Sequence, residues 1–269
     1  MPVLSEADVA ACGAVLFEAE ATRTQIRMMT ADHPCMDMDD AYAIQAAFVQ
    51  RKLDAGGQIN GWKIGLTSKA MQYALGIDIP DSGILFEDML FDHGGTVPDD
   101  RFIEPRIEAE IAFIMKTDLS GADVTRDDVI VATEAVAPAL EILDTRIYRA
   151  DPESGATRTV LDTISDNAAN AGVVMGDMRH PVDAFDLRRV GAIVHRNDAV
   201  EETGLGAGVL DDPALSMAWL VHRLASYGDG LRAGDIVLSG SFVRPIEARH
   251  GDHFIADYGP FGTVDIAFA

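Results

Sequence analysis

The segment PRIEAEIAFI, residues 105–114, alternates between apolar and polar or small residues with a period of two. This alternation predicts a β-strand, because successive side chains of a strand point to opposite faces of the sheet. Ile107 and Phe113 would then lie on one face. Glu108 and Glu110 would lie together on the other face, with their Cα atoms about 7 Å apart along the strand. Two carboxylates that close repel each other unless water screens them or a cation lies between them.

A third acid, Glu141, lies within the apolar run at residues 138–143, where an unpaired charge would be costly. Three carboxylates without histidine or cysteine form an oxygen ligand set, which suits Mg²⁺ or Mn²⁺ better than Zn²⁺. The other interpretation is a solvated strand face on which Arg106 pairs with Glu108. These residues alone leave both interpretations open.

Composition limits the classes of partner. The chain has 269 residues, of which 48% are hydrophobic and 7% aromatic, as in globular proteins. Its formal net charge of −23 argues against nucleic acid or an anionic membrane surface as a partner, because the long-range field repels both. The two cysteines, Cys12 and Cys35, have no ligand-like spacing, and the sequence shows neither a signal peptide nor a membrane-spanning run. We therefore expect a cytoplasmic protein.

The order of the elements predicts an α+β fold. Residues 5–54 have helical patterns, with Ser5 as an N-cap and a second helix starting near Asp37 or Asp39. Short strand patterns follow at residues 62–66, 107–115, 191–195, 235–239 and 263–268. Helices are predicted at residues 126–137 and 213–226. Because no regular βαβ alternation occurs, we expect a rolled or sandwich-like mixed sheet, with a helical N-terminal cap over 1–58 and a β-rich catalytic domain over 59–269.

Two further segments contain residues suited to proton transfer. On a strand, Lys63 would lie between Gly61 and Gly65, and a half-enclosed lysine can have a lowered pKa. The alternative is a lysine at a strand edge whose ammonium group reaches water. Asp81 lies in the turn at residues 79–83 and could act in the site or only cap that turn.

Seven segments in their joint order resemble the fumarylacetoacetate hydrolase superfamily, within it the hydratase and decarboxylase branch of aromatic meta-cleavage pathways. They span most of the chain from residue 61: GWKIGLTSKAM (61–71), PDSGILFEDMLF (80–91), FIEPRIEAEIAF (102–113), PALEILDTR (138–146), DTISDNAANAG (162–172), VEETGLGAGVL (200–210) and SGSFVRPIEARHGDHFIADYG (239–259). The resemblance implies a mixed β-sheet roll with a small N-terminal helical part. It also implies a homo-oligomer built from dimers.

The resemblance assigns roles to the residues above. It implies that Glu108, Glu110 and Glu141 bind Mg²⁺ or Mn²⁺, and that Lys63 and Asp81 move protons at the substrate. We expect the remaining substrate contacts to come from Thr67, Ser68, Ser165, Asn167 and Ser241.

The activity that the resemblance implies is addition of water to a 2-hydroxydienoate or 2-oxo-enoate. The segment at residues 239–259 is most similar to hydratases that convert 2-oxohept-4-ene-1,7-dioate to 4-hydroxy-2-oxoheptanedioate. A 4-oxalocrotonate-type decarboxylase and a 2-keto-4-pentenoate hydratase are the main alternatives. A C–C hydrolase is less favoured, because His33 has no obvious acidic partner, and a non-catalytic metal-binding module would not need Lys63 and Asp81. The candidates for binding the far carboxylate of a dioate are Arg23, Arg27, Lys69 and Arg244.

Overall fold

The computed structural model describes residues 3–75 and 77–269. In this part of the chain the helices are α1 Glu6–Thr22, α2 Met29–Asp32, α3 Met38–Asp54, α4 Lys69–Leu75, α5 Arg126–Ala132, α6 Val160–Ser165 and α7 Pro213–Ala225. The strands are β1 Ile59–Gly65, β2 Asp81–Phe86, β3 Leu90–Phe91, β4 Gly95–Val97, β5 Arg106–Met115, β6 Thr133–Leu143, β7 Asn170–Met175, β8 Gly191–Arg196, β9 Ala199–Leu205, β10 Ile236–Leu238, β11 Ile246–Glu247, β12 His253–Asp257 and β13 Thr263–Phe268.

The described strands form two sheets. The larger has the order β2-β1-β10-β5-β6-β7-β3, with β11 paired to β5, and the smaller has the order β4-β13-β12-β8-β9. Both sheets are mixed. In the larger one β1 runs parallel to β10, whereas β5 runs antiparallel to β10 and β6. This arrangement confirms the prediction of an α+β fold built on mixed sheets.

The two faces of β5 enter different hydrophobic clusters. Ile107 and Phe113 are buried in a cluster that includes the inner face of the smaller sheet and helix α7. Ala112, on the opposite face, belongs to a second cluster with Leu16 of α1 and Phe48 of α3. The strand is therefore covered on both sides, and the face that holds Ala112 also holds Glu108 and Glu110.

The helical N-terminal segment begins where its capping residues predict. The Ser5 hydroxyl accepts a hydrogen bond from the Asp8 N–H, and Asp37 forms a capping box with Asp40 at the start of α3. Helices α1 to α3 span residues 6–54, and the first strand begins at Ile59. A functional division into a cap and a catalytic domain stays a prediction. No helix in residues 3–75 and 77–269 is both long and apolar enough to cross a membrane.

The helix predicted at residues 126–137 is wrong beyond Ala132. Helix α5 ends there, and β6 begins at Thr133, whose backbone is already extended. Strand β6 lies between β5 and β7 and is buried on both faces except at Glu134. A strand of this kind has an unbroken apolar sequence, which has no period-two signal to separate it from a helix.

Candidate active site

Three glutamates meet at the end of the antiparallel pair formed by β5 and β6. The register places Glu108 opposite Glu141 and Glu110 opposite Ala139. One carboxylate oxygen from each glutamate lies within 4.8 Å of the other two. Glu110 and Glu141 are buried and Glu108 is partly exposed. The structure thus brings together the three carboxylates that were predicted from the sequence as candidate metal ligands.

The three glutamates have few partners to balance their negative charges. Burial and the charge of Glu141 raise the pKa of Glu108 to about 8. The same two causes raise the pKa of Glu110 well above its ordinary value, although the Gly240 N–H donates to Glu110 Oε2 over 2.7 Å. Neither oxygen of Glu141 accepts a well-formed hydrogen bond from the described residues. A divalent cation would relieve both the repulsion and the missing contacts, so the donor set fits a hard metal ion.

Lys63 is buried in β1 beside this cluster. Its Nζ lies 3.3 Å from Glu141 Oε1. Burial lowers the pKa of Lys63, but Glu141, Asp81 and the other two glutamates raise it, and the net pKa is above the ordinary value. In the cation-free site the surrounding carboxylates therefore outweigh desolvation, which is the opposite direction to the lowered pKa considered from the sequence.

Asp81 is the first residue of β2 and is paired with Gly65 of β1. A Cβ atom on Gly65 would overlap Asp81 Oδ1 and would lie 2.9 Å from Lys63 Nζ. Glycine at this position therefore leaves the space in which the lysine and the aspartate approach each other. Burial raises the pKa of Asp81 although Lys63, Arg223 and the Gly65 N–H oppose it, and Oδ1 has no well-formed hydrogen bond in the described structure.

A second layer of side chains holds the start of β2. Arg223 of α7 donates to Ser82 Oγ over 3.0 Å, and its guanidinium lies 3.4 Å from the centre of the Tyr42 ring. Gln45 of α3 donates to the Ser82 backbone carbonyl over 2.9 Å. Sequence analysis missed these residues, and no local pattern could have found them, because 141 positions separate Ser82 from Arg223.

The reactive groups open into a cavity of about 710 Å³. Thr67, Ser68 and Ser241, three of the expected substrate contacts, line this cavity. Ser165 and Asn167 do not. The Ser165 hydroxyl donates to the Leu161 carbonyl over 2.9 Å, so its hydrogen bond stays inside α6.

Asn167 instead holds the backbone of β2. Its Oδ1 accepts from the Ile84 N–H over 2.8 Å, and its Nδ2 donates to the Ile84 carbonyl over 2.9 Å. This side chain therefore supports the strand that begins with Asp81 and makes no part of the cavity wall. His33 is also outside the wall, with Nε2 3.6 Å from Cys12 Sγ.

The cavity also contains arginines. Arg244 lines it, as do Arg106, Arg149 and Arg158, which the sequence analysis did not propose for this purpose. The other candidates for an anion contact, Arg23, Arg27 and Lys69, are not in the wall.

Known proteins resemble this chain over nearly its whole length, although no protein-family model matches it. A 2-oxo-hept-4-ene-1,7-dioate hydratase from Escherichia coli is 49% identical over 253 residues, which cover 94% of this chain and 95% of that protein. The solved 4-oxalocrotonate decarboxylase from Pseudomonas putida G7, complexed with magnesium and adipate, superimposes with a TM-score of 0.94 at 31% identity and covers 100% of both chains.

A more distant structure shares the fold alone. The fumarylacetoacetate hydrolase from Exiguobacterium antarcticum has a TM-score of 0.58 at 15% identity, over 79% of this chain and 75% of that one. Sequence identity of 49% over nearly the full length establishes common family membership. The chain belongs to the hydratase and decarboxylase branch of the fumarylacetoacetate hydrolase superfamily.

Proposed function

We propose that this chain is a metal-dependent hydro-lyase that adds water to 2-oxohept-4-ene-1,7-dioate and forms 4-hydroxy-2-oxoheptanedioate in aromatic meta-cleavage catabolism. The observation that carries the proposal is the cluster of three glutamates within 4.8 Å of one another, beside a buried lysine and a buried aspartate. A purely structural cation site has no need of two neighbouring groups that can transfer protons.

Glu108, Glu110 and Glu141 would hold the cation. An all-carboxylate donor set favours Mg²⁺ or Mn²⁺, and the magnesium complex of the decarboxylase relative supports that choice. When bound, the ion supplies Lewis acidity to the oxygens of a 2-oxo acid and stabilises negative charge on its enolate form.

Lys63 and Asp81 would move the protons. Loss of a proton from carbon 3 of 2-oxohept-4-ene-1,7-dioate and protonation of its carbonyl oxygen give the 2-hydroxydiene. Ketonisation of this enol removes the hydroxyl proton and adds one at carbon 5, which places the double bond between carbons 3 and 4, conjugated to the carbonyl. Water then adds at carbon 4, and carbon 3 gains a proton. The two groups approach each other at Gly65 and are close enough to influence each other's pKa, so we treat them as one coupled proton-transfer pair.

Thr67, Ser68 and Ser241 would contact the substrate. Their positions in the wall of the 710 Å³ cavity support this role. Ser165 and Asn167 would act indirectly, through α6 and β2, because their side chains bond to backbone groups there.

Decarboxylation is the rival reaction, because a metal-bound 2-oxo acid can also lose CO₂. Identity favours hydration, at 49% to the hydratase and 31% to the decarboxylase. The test is to incubate the protein with Mg²⁺ and 2-hydroxyhepta-2,4-dienedioate, follow the loss of diene absorbance, and identify the product by mass. A product heavier by one water supports hydration, whereas release of CO₂ would refute hydration and show decarboxylation.

We also propose a homo-oligomer that works in the cytoplasm. Ile193 of β8 and Val200 and Leu205 of β9 are apolar and exposed, which supports burial of these strands against a second copy. Cys12 and Cys35 are free thiols, in keeping with a reducing compartment. Light scattering coupled to gel filtration tests the assembly, and a monomer at micromolar concentration would contradict it.

A further inference from the structure

We propose that Arg106, Arg149 and Arg158 form a second anion-binding site in the catalytic cavity, which binds the far carboxylate of a dioate and selects it over a monocarboxylate. This inference rests on the proposed function, because it concerns the other end of the same substrate.

The three arginines come from separate parts of the chain and line the cavity that also contains Glu108 and Lys63. Arg106 begins β5, two residues before Glu108 and on the same face of the strand. Arg149 and Arg158 lie in the segment between β6 and α6. A protein with a net charge of −23 thus places these three cations in one cavity wall, together with the acidic Asp81, Glu108 and Glu110 and the basic Lys63 and Arg244.

These guanidinium groups have few anionic partners. Within residues 3–75 and 77–269, no carboxylate forms an ion pair with Arg106 or Arg158, and Arg158 donates to the Thr145 hydroxyl. Arg149 has one partner, Glu104, whose side chain is 52% exposed and lies 3.4 Å away, and Arg149 Nε is buried without a well-formed hydrogen bond. Cationic groups that are partly removed from water and have few close ion pairs are costly, and a bound carboxylate would relieve that cost.

Arg244 provides the contrast within the same cavity wall. Its Nε lies 2.7 Å from Glu202 Oε2, and its Nη2 lies 3.9 Å from Glu201 Oε1. Its charge is therefore already balanced by two carboxylates, and its side chain is 57% exposed. Among the cavity arginines, this one has the least capacity to hold a further anion.

Mutual repulsion supports the grouping of the three cations. Burial and the charges of Arg158 and Arg106 together lower the pKa of Arg149 to about 10, although Glu104 and Asp144 oppose the shift. Burial also lowers the pKa of Arg158; Asp166 opposes this shift, and Arg106 and Arg146 add to it. This mutual repulsion agrees with the position of all three side chains in the wall of one cavity.

The spacing suits a seven-carbon dioate. Two residues along a strand span about 7 Å, which is the distance along β5 from Arg106 to Glu108. Six carbon–carbon bonds of about 1.5 Å join the two carboxyl carbons of the substrate, so its extended length is roughly 8 Å. A molecule with its 2-oxo acid end at the glutamates could therefore reach the arginines with its far carboxylate.

The test compares two unreactive ligands that differ only in that carboxylate, 2-oxoheptanedioate and 2-oxoheptanoate. Calorimetric titration in the presence of Mg²⁺ is expected to show dioate binding to the wild type on the order of 100-fold tighter, as for a desolvated charge pair. Arg106→Gln, Arg149→Gln and Arg158→Gln should each reduce that preference at least about tenfold and leave monoacid affinity within about threefold.

Arg189→Gln is the matched control, because Arg189 is 88% exposed and pairs with Asp186 on the surface. The Arg189→Gln variant loses the same positive charge and should bind 2-oxoheptanedioate and 2-oxoheptanoate as the wild type does. Monoacid binding and circular dichroism identify any variant that does not fold. The variants that do fold then test whether the arginines bind the far carboxylate. Equal binding of both ligands to the wild type, or a preference that survives in every folded arginine variant, would overturn the anion site and leave the hydratase proposal standing. If neither ligand binds with Mg²⁺, the proposed function fails as well.

Discussion

At the scale of single residues, Lys63 is the group on which the proposed chemistry depends most directly. It is buried, its Nζ is 3.3 Å from Glu141, and the surrounding carboxylates keep it protonated in the absence of other charges. A bound divalent cation would offset those carboxylates and ease loss of the lysine proton. Lysine and metal would therefore act as electrostatically linked parts of one site.

Lys63→Ala should reduce kcat by about 10²- to 10⁴-fold, because it removes a group placed to transfer protons. Mg²⁺ affinity should stay nearly intact, since the three glutamates remain. Steady-state kinetics and calorimetric Mg²⁺ titration measure the two effects separately. Lys116→Ala, at an exposed lysine, is the control. A large loss of Mg²⁺ binding in Lys63→Ala would refute the assignment of Lys63 to proton transfer.

The raised pKa values of the glutamates predict that the cation-free protein has a lower free energy of unfolding at higher pH. Below the ordinary value of 4.5, Glu110 is protonated in both folded and unfolded chains and contributes nothing. Above 4.5 the unfolded chain ionises first, so the folded protein loses stability as the pH rises toward the raised folded pKa.

Glu110→Gln removes this penalty and keeps an oxygen for the Gly240 N–H. In EDTA we expect the variant to unfold in urea with a free energy close to that of the wild type at pH 4 and about 1–3 kcal/mol higher at pH 8. Glu134→Gln, at an exposed position of β6, should show no such trend. A variant that is less stable than the wild type at pH 8 would contradict the account of unpaired buried carboxylates.

At the scale of elements, the site depends on how β2 is held against its neighbours. Asp81 and Ser82 begin this strand, and Arg223, Gln45 and Asn167 each bond to it from a different part of the chain. Helices α3 and α7 and the loop after α6 thus fix the position of a reactive carboxylate that itself has few direct contacts.

Asn167→Ala should lower the free energy of unfolding by about 1–3 kcal/mol, because it leaves the buried Ile84 N–H without an acceptor. We expect kcat to fall while KM changes little, since Asn167 supports β2 and does not line the cavity. Urea denaturation and steady-state kinetics measure both effects. Asn167→Asp keeps the acceptor and should retain more of the stability. A rise in KM at unchanged stability would instead favour the original expectation of a substrate contact.

The elements that sequence analysis predicted are those with a local signal. Period-two alternation located β5 and its glutamates, and the Ser5 and Asp37 caps located the starts of α1 and α3. Strand β6 was not predicted, and its first half was assigned to a helix. Burial on both faces removes the alternation, and Pro138 is unusual in a central strand. Of the cavity arginines, Arg244 was a candidate anion contact from the sequence. The roles of Arg106, Arg149 and Arg158 and the supports of β2 were missed because their proximity depends on long-range folding.

At the scale of the whole molecule, a buried ionic network joins the N-terminal helices to the larger sheet. Glu20 of α1 pairs with Lys52 of α3 and lies 3.6 Å from Arg146, which also pairs with Asp166 near the end of α6. Burial raises the pKa of Glu20, but Arg146 and Lys52 lower it more, so its net pKa is below the ordinary value.

This lowered pKa predicts acid sensitivity of the helical segment. The stability that Glu20 contributes is present above pH 4.5 and is lost as the pH falls through its folded pKa. Glu20→Gln should therefore lower the free energy of unfolding by about 2–4 kcal/mol at pH 7, where it leaves Lys52 and Arg146 without their shared partner, and by less at pH 3. Urea titrations at the two pH values check this, and an equal cost at both would contradict it.

The proposed metal dependence can be tested most directly by titrating the EDTA-treated, dialysed protein with Mg²⁺ while measuring ion binding and hydration of 2-hydroxyhepta-2,4-dienedioate in parallel. We expect one Mg²⁺ per chain to bind and turnover to rise with occupancy, because Glu108, Glu110 and Glu141 form a single site. Glu110→Gln should weaken binding and turnover together, with Glu134→Gln unchanged. Hydration that persists in EDTA, or Mg²⁺ that binds without restoring turnover, would contradict the proposal of a catalytic metal at the three glutamates.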